Sequence, residues 1–253
     1  MAKVPLRSTP DGWIELEAAY TAAVHAAGAP VPRLLGMELV DGRKVSIYER
    51  VGGRSMWSHM VVRPSEIPRL ARALAELQAD VFDIVPPISL PGQRDRLSCK
   101  IREAARRVDG SLADALEHLP ASDVGGRLCH GDLHPDNVIL SRDGPVLIDW
   151  FDVSRGNPVA DVARTALLVS SHANGVSGPA HLPGATTALL DSTTRVYLEA
   201  IGERVPLDDL ERWMAVEAVA RIAEGVEPAG LVAIWDRWNR LPPLTSAGWR
   251  AAR

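Results

Sequence analysis

The chain has 253 residues, 46% hydrophobic and 24% charged. That excludes a disordered, collagen-like or coiled-coil polymer and leaves room for one to two domains around a real core. With 28 basic and 32 acidic residues the net charge is -4, which argues against a mainly electrostatic nucleic-acid binder. No apolar run reaches the ~18 residues of a membrane span, and the first residues carry no signal-peptide core. Two cysteines, Cys99 and Cys129, cannot build a disulfide framework, so a cytoplasmic protein is expected, with no membrane and no nucleic-acid partner.

In chain order, Lys3 to Leu6 reads as a strand. Pro10 and Asp11 open a helix to Ala27, ended by Gly28 and Pro30, with Ile14, Leu16, Ala18, Tyr20 and Val24 loosely periodic. Leu34–Val40 and Val45–Val51 flank Asp41-Gly42, a hairpin signal, and Gly52-Gly53 breaks the second strand. From Trp57 the chain turns helical. Ile67, Leu70, Leu74, Leu77 and Val81 share one helix face. Further helices are expected over Arg94–Val108 and Leu112–Leu119. A compact strand insert follows: Arg127–Cys129, Val138–Leu140 and Val146–Ile148, with a tight turn at Arg142-Asp143-Gly144. A helix from Pro158 to about Ser171, a Gly/Pro/Ser-rich loop at His172–Gly184, and helices near Thr186–Ile201, Leu207–Ala223 and Pro228–Trp238 complete the chain. The class is α+β: a small front lobe of strands and one helix over 1–52, then a larger, mainly helical lobe over 53–253 carrying a β-hairpin.

The chemistry concentrates in Leu128-Cys129-His130-Gly131-Asp132-Leu133-His134-Pro135-Asp136-Asn137 and, twelve residues on, Asp149 within Leu147-Ile148-Asp149-Trp150. Polar residues packed between two apolar strands need partners if they are buried. The hairpin returns Asp149 to the neighbourhood of Asn137. A carboxylate and an amide oxygen meeting there suit a hard cation such as Mg²⁺. The order and spacing are those of the kinase catalytic loop, H-R-D-x-x-x-x-N followed by the metal-binding Asp. His130, Asp132, Asn137 and Asp149 occupy the four positions.

These segments, with Gly156-Asn157-Pro158-Val159-Ala160-Asp161-Val162-Ala163 and, upstream, Gly28-Ala29-Pro30-Val31-Pro32 and Glu49-Arg50-Val51-Gly52-Gly53, make the chain resemble the aminoglycoside phosphotransferase and choline kinase-like family. The likeness covers most of residues 3–170; Asn157 stands where the family usually has Asp. It implies a two-lobed protein-kinase-like fold and transfer of the γ-phosphoryl of ATP or GTP, with Mg²⁺, to a hydroxyl of a small molecule. Antibiotics are among the family's acceptors, and a monomer or homodimer is expected. By the same resemblance Asp132 is the catalytic base or hydroxyl positioner and His130 orients the loop. Asn137 and Asp149 hold the metal, and Asp161 braces the loop backbone. Glu49 to Val51 is the hinge whose backbone meets adenine, Lys3 reaches the phosphates, and Glu17 is its ion-pair partner. Lysine is scarce: Lys3, Lys44 and Lys100 are the three present, so 25 of the 28 basic residues are arginine.

The resemblance also implies a glycine-rich hairpin ahead of Lys3, which needs about 15 residues; two precede it here. A misplaced or truncated start is the favoured expectation, a natural variant lacking the loop the other. The alternative function is an impaired, nucleotide-binding remnant. A zinc site from Cys129, His130, Asp132 and His134 is the other chemical rival, disfavoured because neither C-x-x-C nor H-x-x-x-H spacing occurs. His134 reads as structural. Trp57, Trp213, Trp235 and Trp238 read as core before acceptor cleft. Asp208, Asp209, Glu211, Glu217, Glu224 and Glu227 read as a solvated helix face before an acidic cleft for a polycation.

Overall fold

Apolar spacing divides the chain into strands and helices in the computed structural model, which describes every residue except 5, 7, 8, 109, 110, 120–125, 174–183, 227 and 239–253. β1 (Ala2–Lys3), β2 (Leu34–Val40) and β3 (Arg43–Tyr48) form an antiparallel sheet in the order β1-β3-β2. Asp41 and Gly42 both take positive φ, 50° and 74°, the backbone a tight two-residue hairpin requires. β1 is shorter than expected and stops at Lys3, ahead of Pro5, which has no N–H for a ladder. α1 (Asp11–Ala26) buries Ile14, Ala18, Thr21 and Val24, a single stripe at helical spacing. Leu16, expected on that stripe, faces outward at 45% exposure.

β4 (Arg54–Ser55) leads into α2 (Met56–Val62), whose first turn is capped by the Ser55 hydroxyl accepting the Ser58 N–H at 3.1 Å. Gly53, at φ +141°, lets β4 lie against Leu140, whose carbonyl would sit 2.3 Å from any added Cβ. α3 (Ile67–Phe82) buries the whole predicted stripe of Ile67, Leu70, Leu74, Leu77 and Val81. α4 (Gln93–Arg107) follows as read. The expected helix near 112–119 is instead a 3₁₀ segment, Ser111–His118.

The strand insert is nested. β5 (Arg127–Cys129) pairs with β8 (Ser154–Gly156), and inside that pair β6 (Val138–Ser141) pairs with β7 (Gly144–Leu147). β4 and β8 were not legible beforehand, because two or three residues cannot display a period of two. β4 joins the inner pair in the order β4-β6-β7.

α5 (Pro158–Ala173), α6 (Gly184–Gly202), α7 (Leu210–Ile222) and α8 (Pro228–Trp238) form the helical body, with α5 packed on both α6 and α7. Val159, Ala160, Val162, Ala163, Ala166 and Leu167 are all buried, as are Asp161, Arg164 and Thr165, so α5 is buried nearly all round and central. α7 starts at Leu210 rather than Leu207, since Asp209 is left-handed at φ 63°. Trp213 and Trp235 are core, and Trp57 packs against it from a half-buried position. The Trp238 side chain and most of the expected loop at 172–184 lie outside the described residues.

Among the described residues no helix is long and apolar enough to cross a membrane. The architecture is α+β and mostly helical, with the outer nested pair packed on the helical body, β5 against α3 and α5 and β8 against α4.

Candidate active site

Nesting decides what meets what. The segment between β5 and β6, residues 130–137, lies opposite the segment between β7 and β8, residues 148–153. Val138 is paired with Leu147, and the Ile148 N–H donates to the Asn137 carbonyl at 3.0 Å. The two segments touch at Gly131, at φ +78°, where a Cβ would lie 2.1 Å from the Asp152 carbonyl oxygen. Glycine is therefore required there on two counts.

His130 is fully buried, its ring 4.5 Å from that of Trp150. Its Nε2 lies 3.1 Å from the Ile148 carbonyl, which can only accept, so Nε2 carries the proton. Nδ1 accepts the Asp132 N–H at 3.2 Å. Burial lowers the pKa of this imidazole, against the pull of Asp161, Asp132 and Asp149. With both nitrogens committed, the ring is a brace rather than a proton carrier or a zinc ligand.

Asp161, near the start of α5, accepts the backbone N–H groups of His130 and Gly131 at 3.2 and 2.7 Å and the Gln78 amide at 2.9 Å. Gln78 in turn accepts the Tyr197 hydroxyl. Burial pushes the Asp161 carboxyl up, opposed by those three donors and His130.

Asp132 is half-buried in the loop, with 28% of its side chain accessible. The Asn137 amide donates to its carbonyl at 2.8 Å and approaches Oδ2 at 3.3 Å. Arg164 Nη2 meets Oδ1 at 3.2 Å, and His134 Nε2 lies 3.8 Å from Oδ2. Burial works to raise its pKa, but Arg164, then His134 and His130, hold the carboxyl below its ordinary value. His134 also accepts the Asp136 N–H on Nδ1 at 3.3 Å, a turn-capping role.

Asp149 is left-handed at φ 66°, an uncommon backbone that Asp tolerates better than most side chains. Lys3 Nζ lies 3.2 Å from its Oδ1 and also pairs with Glu17 on α1. Burial works against the Lys3 ammonium, but Asp149 and Glu17 outweigh it and raise its pKa above the ordinary value. Burial raises the pKa of the Glu17 carboxyl, partly offset by Lys3. These three groups form one polar end of a cavity of about 300 Å³ that also takes in Val31, Tyr48, Ile148 and Trp150. An apolar slot with a few convergent charges is the usual make-up of a small-molecule site.

Lys3, Glu17 and Asp149 are thus brought together, as are His130, Asp132 and Asn137. Glu49 and Val51 do not line the cavity, and the Glu49 N–H is spent on the Arg33 carbonyl at 3.0 Å. Lys44 pairs with Glu15, and Lys100 lies 3.0 Å from Asp152 and 2.8 Å from Glu224. The donor set fits a hard divalent cation: because the Asn137 nitrogen is turned to a carbonyl, its Oδ1 is left with its lone pairs, on the same hairpin mouth as the Asp149 carboxylate. Among the described residues no three His, Cys, Asp or Glu side chains gather as a metal cluster.

The late acids divide: Asp208 and Glu211 are solvated, as expected, whereas Glu217 and Glu224 are drawn into ion pairs and line no open acidic cleft. Glu217 is buried on α7, 4.0 Å from Arg164, and Glu224 lies 2.8 Å from both Arg164 and Lys100. Glu227 lies outside the described residues. Sequence reading missed Arg164, Asp152 and Tyr48. An arginine inside the apolar run of α5 was the one available signal.

The model of the phosphotransferase enzyme family matches residues 2–181. No curated protein matches the chain. Among solved structures, an aminoglycoside-3'-phosphotransferase of type VIII is similar at 22% identity and TM-score 0.57, covering 83% of this chain and 81% of that one. An aminoglycoside phosphotransferase from Streptomyces rimosus, in complex with ADP and streptomycin, is similar at 17% identity and TM-score 0.54, covering 87% and 86%. A choline kinase from Cryptosporidium parvum Iowa II is similar at 11% identity and TM-score 0.55, covering 89% and 77%. At these identities the likeness is one of fold, the kinase-like fold they share. The family match spans well over half of the chain, and with the loop geometry above it makes this chain a member of the phosphotransferase enzyme family.

Proposed function

We propose that the protein transfers the γ-phosphoryl of ATP or GTP, bound with Mg²⁺, to a hydroxyl of a small molecule, with residues 1–52 as the N-terminal lobe and 53–253 as the helical lobe that carries the catalytic loop 128–150 and, after residue 170, the acceptor-binding helices. The observation that carries this reading is the meeting of Lys3 from β1 and Glu17 from α1 with Asp149, which follows β7 on the same nested strand pairs that carry Asp132. The Streptomyces rimosus relative solved with ADP and streptomycin supports both a nucleotide and a hydroxylated co-substrate.

In this reading the cavity takes the base and Lys3, steadied by Glu17, meets the phosphates. Asn137 and Asp149 hold the cation, which supplies charge neutralisation to the phosphates when bound. Asp132 accepts the hydroxyl proton as the acceptor oxygen bonds to the γ-phosphorus. The bond from that phosphorus to the bridging oxygen breaks, and the nucleoside diphosphate leaves. Positioning and electrostatic stabilisation supply most of the rate in such transfers.

The test is Mg²⁺-dependent transfer of labelled phosphate from ATP and GTP across a panel of aminoglycoside, macrolide, choline-like, homoserine-like and sugar acceptors, with Asp132→Ala as control. Transfer to at least one acceptor, abolished in the control, is expected. No transfer above the control with any of them overturns the reading.

A further inference from the structure

One cation beside the site lies outside the loop motif and is held with more geometric definition than charge balance asks for. Arg164 follows Asp161 by one helical turn on α5, so both reach the loop from one face. Its side chain is 4% exposed. Nε donates to the Gly131 carbonyl at 2.8 Å and Nη2 to Asp132 Oδ1 at 3.2 Å. On the other side Nη1 lies 2.8 Å from Glu224 Oε1 and 4.0 Å from Glu217 Oε2.

The plain alternative is that Arg164 exists to neutralise Glu217 and Glu224. Two observations weigh against it. Lys100 already pairs with Glu224 at 2.8 Å. Two of the Arg164 nitrogens are spent on consecutive loop residues, one on backbone and one on side chain. A guanidinium is planar and its donors point in fixed directions, so this fork ties the Gly131 carbonyl and the Asp132 carboxylate to one plane. The Glu224 carboxylate, in the turn after α7, holds the fork in place from the far side, which is what a buried cation requires.

We propose that Arg164 is a positioning residue: by taking Oδ1 it fixes the side-chain rotamer of Asp132 and leaves Oδ2, which the Asn137 amide approaches at 3.3 Å and His134 at 3.8 Å, a lone pair to meet the acceptor hydroxyl. The inference rests on the phosphotransferase reading above. It extends the working site from the nested hairpins to α5 and, through Glu224, to the end of α7.

The experiment is steady-state transfer kinetics on the full chain with each folded variant checked by its melting curve. Arg164→Gln is expected to lower kcat about 100-fold while nucleotide KM stays within about 3-fold. Arg164→Lys keeps the charge but not the fork, and is expected to recover about a tenth of the parent rate. Where Arg164→Gln alone fails to fold, the pair Arg164→Gln/Glu224→Gln removes cation and anion together, and the same split is expected. Folded variants with parental kcat, or ones in which Lys restores full rate, overturn the inference and leave the phosphotransferase reading intact. A parent that transfers no more than Asp132→Ala overturns both.

Discussion

The Asp161 carboxylate accepts the backbone N–H of Gly131 at 2.7 Å, from a helix thirty residues further along the chain. The same carboxylate takes the His130 N–H, so two consecutive amides of the loop hang from one buried side chain. Asp161→Ala strands those two donors, while the Gln78 amide keeps Thr165 Oγ1 at 3.2 Å. A loss of about 3 kcal/mol is expected, because each buried unsatisfied group costs on the order of 1–3 kcal/mol. Urea unfolding of the parent and the variant measures it.

Gly131→Ala tests the contact between the two loop segments. A Cβ there meets the Asp152 carbonyl oxygen at 2.1 Å and the backbone is at φ +78°. Left-handed backbone alone costs roughly 1–2 kcal/mol for a residue with a Cβ, and the clash adds to it. The variant is expected to melt lower than the parent and to lose transfer activity together, as the loop backs away from residues 148–153.

Lys3→Met separates function from stability. Lys3 is 41% exposed in its side chain, and exposed ion pairs contribute about 0–1 kcal/mol. Melting is therefore expected to move little. Transfer is expected to fall ~100–1,000-fold, the usual cost of removing one preorganised charge from a developing negative centre. Glu17→Gln leaves Asp149 as partner for Lys3 and is expected to fall less. A Lys3→Met protein with parental kcat/KM removes Lys3 from the site.

Glu217 predicts a pH effect on stability. Burial raises its pKa to about 7 from an ordinary 4.5, against the pull of Arg164 and Lys100 and with Glu224 and Asp161 adding to the rise. A raised carboxyl means the native state binds a proton that the unfolded chain releases between those two values, so stability falls as pH rises through that window. The full effect is on the order of 3 kcal/mol. Glu217→Gln is expected to flatten that slope: a melting temperature above the parent's near pH 8, converging with it near pH 5. A parental slope in the variant removes Glu217 as the titrating group.

Local signals carried a large part of the molecule. The α3 stripe and the Asp41-Gly42 turn were legible because short-range periodicity and positive-φ residues express themselves within a few positions. The spacing of His130, Asp132, Asn137 and Asp149 was legible for a related reason: one tight hairpin connects them, so chain distance and spatial distance agree.

Arg164, Asp152 and Glu217 were not legible. Their partners lie on α4, α5, α7 and two separate loop segments, and no spacing along the chain encodes which buried acid meets which buried base. The acids after residue 207 looked like one group in composition, yet packing sent Asp208 and Glu211 outward and Glu217 into the core. β4 and β8 are too short to announce themselves, and they exist because β6 and β5 offer ladders to pair with. Residue order thus specifies the loop and its chemistry, since those depend on neighbours. Helix packing assigns the charges behind Asp132 and shapes the cavity beside Lys3, since burial is a property of the whole fold.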